Sequence, residues 1–154
     1  MARRPPAIVQ PATRMLAGTA THVPQFTQAA AWEALTPGTA RLQATKDAYR
    51  RRRDRAHRAM SAVEGVACPL PEGGMFLFPC VEDLLRRNRR GIRTTAQLAA
   101  WLLKEAQVAV VPGEAFEAPG RLRLCFAVDD PTLDAALARL TAALQALGPR
   151  GGAS

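Results

Sequence analysis

Leucines at 133, 137, 140, 144 and 147 recur at spacings of three and four, one apolar stripe on a helix. Asp130 reads as its N-cap, Pro131 suits its first position, and Gly148-Pro149 ends it. A longer helix is predicted from about Thr39 to Val63, where Leu42, Tyr49, Ala56, Met60 and Val63 share a face. QFTQAAAWEAL, after Pro24, predicts a helix that stops at the Thr36-Pro37-Gly38 turn. Thr94 or Thr95 caps another, carrying Leu98, Trp101 and Leu102 inward. ARRPPAIVQP at the start reads as irregular, or as a short helix broken at Pro11.

Strand candidates lie between the later helices. Val66 to Cys68 is short. Met75 to Phe78 is apolar on both faces and predicts a central, covered strand, and Val108 to Val111 reads the same way. Arg121 to Ala127 alternates, with Leu122, Leu124 and Phe126 on one side and Arg121, Arg123 and Cys125 on the other. Val81 to Arg93 reads as a short helix and an exposed loop. This order predicts an α+β fold, a small, mainly antiparallel sheet covered by helices on one side.

A chain of 154 residues suits one domain, and 48% hydrophobic against 22% charged residues excludes wholesale disorder. The glycine-rich end, 148–154, has little to bury and reads as a disordered tail. No apolar run approaches the ~20 residues of a membrane helix, and MARRPPAIVQ does not read as a signal peptide. Cys68, Cys80 and Cys125 lack metal-ligand spacing and sit in or beside apolar runs, which predicts buried thiols, a cytoplasmic location and no metal site.

The net charge is +8, yet 19 of the 21 basic residues are arginine. Tyr49 to Arg55 (YRRRRDR) has two readings: a solvated helix face with Asp47 and Asp54 interspersed, or a phosphate-binding stripe supplemented by Arg86, Arg87, Arg89, Arg90 and Arg93. No aromatic platform interleaves with these arginines, which weighs against nucleic acid. His57 reads as solvent-facing, and His22 as a loop histidine. Arg123 also has two readings. It is an edge-strand arginine in water beside Arg121, or a bidentate clamp for a carboxylate, which the planar guanidinium fits better than lysine would.

Taken together, these pieces resemble the C-terminal part of a class I/II aminotransferase, a pyridoxal-phosphate (PLP) enzyme of fold type I. Gln28-Ala29-Ala30-Ala31 with Ala34-Leu35 resembles the helix after the domain junction. Tyr49-Arg50-Arg51-Arg52-Arg53-Asp54 resembles the family's Y-x-x-R-R-D helix, and Pro71-Glu72-Gly73-Gly74-Met75-Phe76 its strand entry. VAVVPGEAF, 108–116, resembles V-x-V-x-P-G-x-x-F. Gly120 to Ala127 resembles G-x-[IL]-R-[IL]-x-[FY]-[AS].

The resemblance implies that Arg123 binds the substrate's α-carboxylate and that amino groups move between an amino acid and a 2-oxo acid. It implies PLP in the complete enzyme, which is a homodimer in this family. Thr21 takes the place of a cofactor-phosphate contact, although His22 replaces the family's asparagine and the proline is displaced. The lysine that holds PLP covalently has no match: neither Lys46 nor Lys104 carries its motif, and both read as solvated. The expected organisation is a lead-in over 1–24 returning from a missing large domain, an aminotransferase-like domain over 25–147, and the tail. On this reading the chain alone is inactive and needs the large domain or a complementing chain. An arginine-rich nucleic-acid-binding protein, a non-catalytic regulatory or assembly module of the same fold, and a related PLP lyase remain as alternatives.

Overall fold

The computed structural model describes residues 5–20, 22–36, 40–88 and 90–147. Thr21, Arg89 and the tail at 148–154 lie outside the described residues, so the expectations placed on them have no structural counterpart. The chain divides into two compact units, 1–43 and 44–154.

The first unit holds α1 (Pro6–Thr19) and α2 (Gln25–Leu35), and none of their residues is buried. Instead of breaking at Pro11, α1 runs through it. Proline there removes one hydrogen bond, to the Ala7 carbonyl, and on an exposed helix water can take that place. Pro6 opens the helix with its φ already set.

The second unit takes in most of α3 (Ala40–Ser61), followed by β1 (Phe76–Leu77), α4 (Glu82–Arg87), α5 (Thr95–Trp101), β2 (Val111–Pro112), β3 (Leu122–Cys125) and α6 (Asp130–Gln145). A π-helical turn, Leu102–Ala106, extends α5, and a 3₁₀ turn, Gly113–Phe116, follows β2. The sheet is antiparallel in the order β1-β3-β2, with Phe76 opposite Cys125, Leu77 opposite Leu124, and Val111 opposite Arg123. Ala67 to Cys80 and Cys80 to Arg121 are isolated bridges rather than strands.

Two strand expectations therefore change. Met75–Phe78 and Val108–Val111 supply the edges, not the centre, and the alternating strand β3 is central. Outward-facing Phe76 is 39% exposed. Its apolar character serves a polar neighbour described below, not a covering layer.

The core behaves as its pattern dictates. Leu77, Leu122, Leu124 and Phe126 meet Ala56, Met60 and Val63 of the α3 end, Leu98 and Leu102 of the α5 segment, and Leu133, Leu137, Leu140 and Leu144 of α6. Burying each large apolar side chain contributes about 1.5–3 kcal/mol. The stripe on α3 fails at Leu42, which is exposed, and Tyr49 is half-buried, its ring edge-on to Phe126 at 6.4 Å. α6 is capped one residue earlier than its sequence predicts. The Asp129 carboxylate, not that of Asp130, accepts from the Thr132 N–H at 2.9 Å. That contact holds Asp129 below its ordinary carboxylate range.

The loop after α4 is organised by buried Asn88. Its amide donates to the Leu85 and Ile92 carbonyls, and its own oxygen accepts from the Ile92 N–H. A buried amide with its valences met is stable where an unpaired one would not be.

Candidate functional site

Because side chains alternate across a strand, the leucines of β3 commit Arg121, Arg123 and Cys125 to the opposite face. Arg123 rises there from the central strand, half-buried. β1 flanks it on one side and contributes Phe76, whose ring centroid lies 4.6 Å from the guanidinium carbon. The turn after β2 flanks it on the other and contributes Phe116 at 4.7 Å. Both distances are well inside cation–π range. Among the described residues, no carboxylate pairs with Arg123 and no acceptor takes its N–H groups. Two rings thus lie against the guanidinium, while its N–H groups have no partner among the described residues. A planar fork in that state suits a bidentate carboxylate. The edge-strand reading of Arg123 falls, because its strand is the middle one.

The turn that presents Phe116 is fastened at several points. Gly113 donates its N–H to the Arg121 carbonyl at 2.8 Å and accepts from the Ala118 N–H at 3.0 Å. A Cβ at Gly113 would lie 2.0 Å from the Ala118 oxygen, so only glycine fits. Glu114 reaches the start of α5, where its carboxylate accepts from the Thr95 N–H at 3.1 Å and from the Thr95 hydroxyl. The hydroxyl contact is the chief reason the Glu114 carboxyl sits below its ordinary range. Phe116 also meets Phe78 edge-on at 6.0 Å, and the Arg121 guanidinium lies 5.8 Å from the Phe78 ring. Phe76, Arg123, Phe116, Phe78 and Arg121 thus form one connected run of rings and cations.

The other candidates settle elsewhere. Most of the arginine run on α3 is engaged in packing: Arg52 and Arg55 bind Asp130 of α6, Arg55 also binds Asp134, and Arg53 binds Asp54 and the Pro71 carbonyl. The Arg52 and Arg55 pairs tie α3 to α6. His57 is not solvent-facing; it is half-buried and its ring bonds the Cys68 carbonyl at 2.9 Å, while His22 is exposed. Burial pushes the Cys68 thiol up to about 11, as expected of an inert cysteine, but Cys125 is exposed, contrary to its reading as a buried thiol.

Among the described residues, the side chains do not fit a covalent PLP site. Lys46 is exposed in a 370 Å³ cleft with Tyr49, Arg50 and Glu72, and Lys104, 83% exposed, pairs loosely with Glu105. A cleft of 520 Å³ is lined by Glu82, Arg86, Arg93 and Glu114 and does not include Arg123. Neither lysine lies in the buried setting that a covalent amine requires.

The aromatic flanks of Arg123 are absent from the sequence reading of the site. The signal available was Phe76 in a strand apolar on both faces, and Phe116 in the turn after Pro112-Gly113.

Comparisons with known proteins converge on one family. The model for aminotransferase class I and II matches residues 5–140. An aspartate aminotransferase of Streptomyces avermitilis is 37% identical over 138 residues, 88% of this chain and 34% of that protein. A probable aspartate/prephenate aminotransferase of Aquifex aeolicus is 34% identical over 126 residues, 80% of this chain and 31% of that protein. Among solved structures, the aspartate aminotransferase of Rhizobium meliloti superposes with a TM-score of 0.75 at 32% identity, covering 87% of this chain and 34% of that one. The chain spans about a third of the length of these relatives.

Proposed function

The chain belongs to the aminotransferase class I and II family, and on that premise we propose that it forms the substrate-carboxylate side of a transaminase active site, with Arg123 as the receptor. The observation that carries this reading is a guanidinium fixed between two rings, its donor edge unpaired, on the central strand. A bidentate grip on the carboxylate of an amino acid or 2-oxo acid would set the position of the adjoining carbon, which is the orientation part of catalysis. The relatives' names make L-aspartate and its 2-oxo partners the substrates to try first.

The family implies PLP in the complete enzyme. None of the described groups here is suited to hold it, so no chemical step is assigned to this chain. Bond making falls to a large domain or a complementing chain, in an assembly that the family makes a homodimer. On this reading 25–147 is the aminotransferase-like C-terminal domain and the chain alone does not transaminate. Thr21 is retained as a phosphate contact only in the complete assembly.

The test uses chain labelled with ¹⁵N-arginine. Titration with 2-oxoglutarate should move the Arg123 Nε–H signal saturably, and Arg123→Lys should abolish the response elsewhere in the spectrum. A response centred on the α3 arginines, with Arg123 unmoved, would overturn the reading and favour a general anion-binding surface.

A further inference from the structure

Arginine has a long, flexible stem, and a receptor of this kind gains from being held in place before its ligand arrives. Among the described residues no acid holds Arg123. What surrounds it is aromatic: Phe76 from β1 and Phe116 from the turn after β2. Phe116 is 44% exposed, so core burial does not account for its position. It is held by its turn, through Gly113 bonded to the Arg121 carbonyl just before β3 and Glu114 bonded to Thr95 at the start of α5. Phe78 backs the ring edge-on, and Arg121 lies over Phe78 in turn.

We infer that Phe116, anchored through Glu114 to α5, is the positioning residue of Arg123, and that with Phe76 it confines the guanidinium so that a ligand meets only its hydrogen-bonding edge. This rests on the reading of Arg123 as a carboxylate receptor. The arrangement follows from charge distribution. Ring faces are electron-rich, so they attract the cation and repel the oxygens of an anion placed over the guanidinium plane. An approaching carboxylate is thereby directed into that plane, where two parallel N–H···O bonds form. Glu114 touches neither the cation nor the ligand. Its contribution is to keep Phe116 on station.

The experiment follows the Arg123 Nε–H signal of the ¹⁵N-arginine-labelled chain with acetate as the carboxylate probe. Phe116→Leu keeps apolar bulk but removes the π face. It should weaken acetate binding by roughly two- to fivefold, the size of one exposed cation–π contact, and reduce the ring-current displacement of the signal to the part that Phe76 supplies. Phe116→Tyr should restore both, which a packing role would not require. Glu114→Gln should reduce the ring-current displacement in the same direction. Phe76→Leu repeats the test from the other flank should Phe116→Leu disturb the amide spectrum of the core. If Phe116→Leu and Phe76→Leu bind acetate as the parent chain does, the inference is wrong while the carboxylate reading stands. If acetate fails to move Arg123 in the parent chain, both fall.

Discussion

The two faces of β3 are built from alternate residues of one short strand, yet they answer to different constraints. On one face Leu122 and Leu124 are buried among leucines of α5 and α6, and any side chain of the right volume and polarity would satisfy that packing. On the other face Arg123 is half-buried, clasped by two rings, with no acid to neutralise it among the described residues. Folding gives no reason for a guanidinium there, because a hydrophobic residue between two phenylalanines would pack as well without carrying a charge. Alternation along a strand thus separates what holds the protein together from the face left free to bind. Stability measurements and binding measurements should therefore respond to different residues of the same four-residue element.

The comparison breaks most visibly at Leu122→Ala. Truncating a fully buried leucine should lower stability by about 2–5 kcal/mol in denaturant unfolding. Where the variant is folded, acetate should still move Arg123. Thr94→Ala addresses the support of the binding face. Thr94 caps α5 in a reciprocal box with Gln97, and its loss should lower stability by ~1 kcal/mol. It should also loosen Glu114, which bonds the next residue, and so broaden the Phe116 ring signals. Arg123→Gln is the inverse of the first variant. Stability should change by less than about 1 kcal/mol, since a half-buried position outside the core is altered, while carboxylate binding disappears.

Acid titration gives the smallest effect and locates its source. Thr95 holds the Glu114 carboxyl low, the Thr132 N–H holds Asp129 low, and Arg52 holds Asp130 low. A carboxyl held low in the folded chain adds stability above its ordinary range and loses it as the pH falls through the lowered value. Unfolding free energy should therefore decline below roughly pH 4. Glu114→Gln should remove the part of that decline due to the binding face and leave the part due to α6.

Much of the fold was legible in the sequence, and the successes share a cause. α6, α5 and β3 carry periodicities set by a single buried face, and periodicity reports burial directly. The same alternation placed Arg123 on the face opposite the leucines. The misreadings have a cause too. Met75–Phe78 looks like a buried strand because its outward phenylalanines are apolar, but Phe76 meets a cation and Phe78 a ring and a cation, not a second layer. A pattern of apolar residues cannot distinguish a ring that faces a core from a ring that faces a guanidinium. Glu114 was invisible as an anchor because its partner, Thr95, lies 19 residues away in sequence. The Asp129 cap was displaced by one residue because two aspartates precede Pro131 and either could start the helix.

The most direct measurement is a crystal structure of this chain grown or soaked with 2-oxoglutarate. A ligand carboxylate should lie in the plane of the Arg123 guanidinium, bonded to two of its nitrogens, with Phe76 and Phe116 on its flanks. A ligand bound only to other arginines, with the Arg123 edge facing bulk solvent or paired with an acid of its own chain, would contradict it.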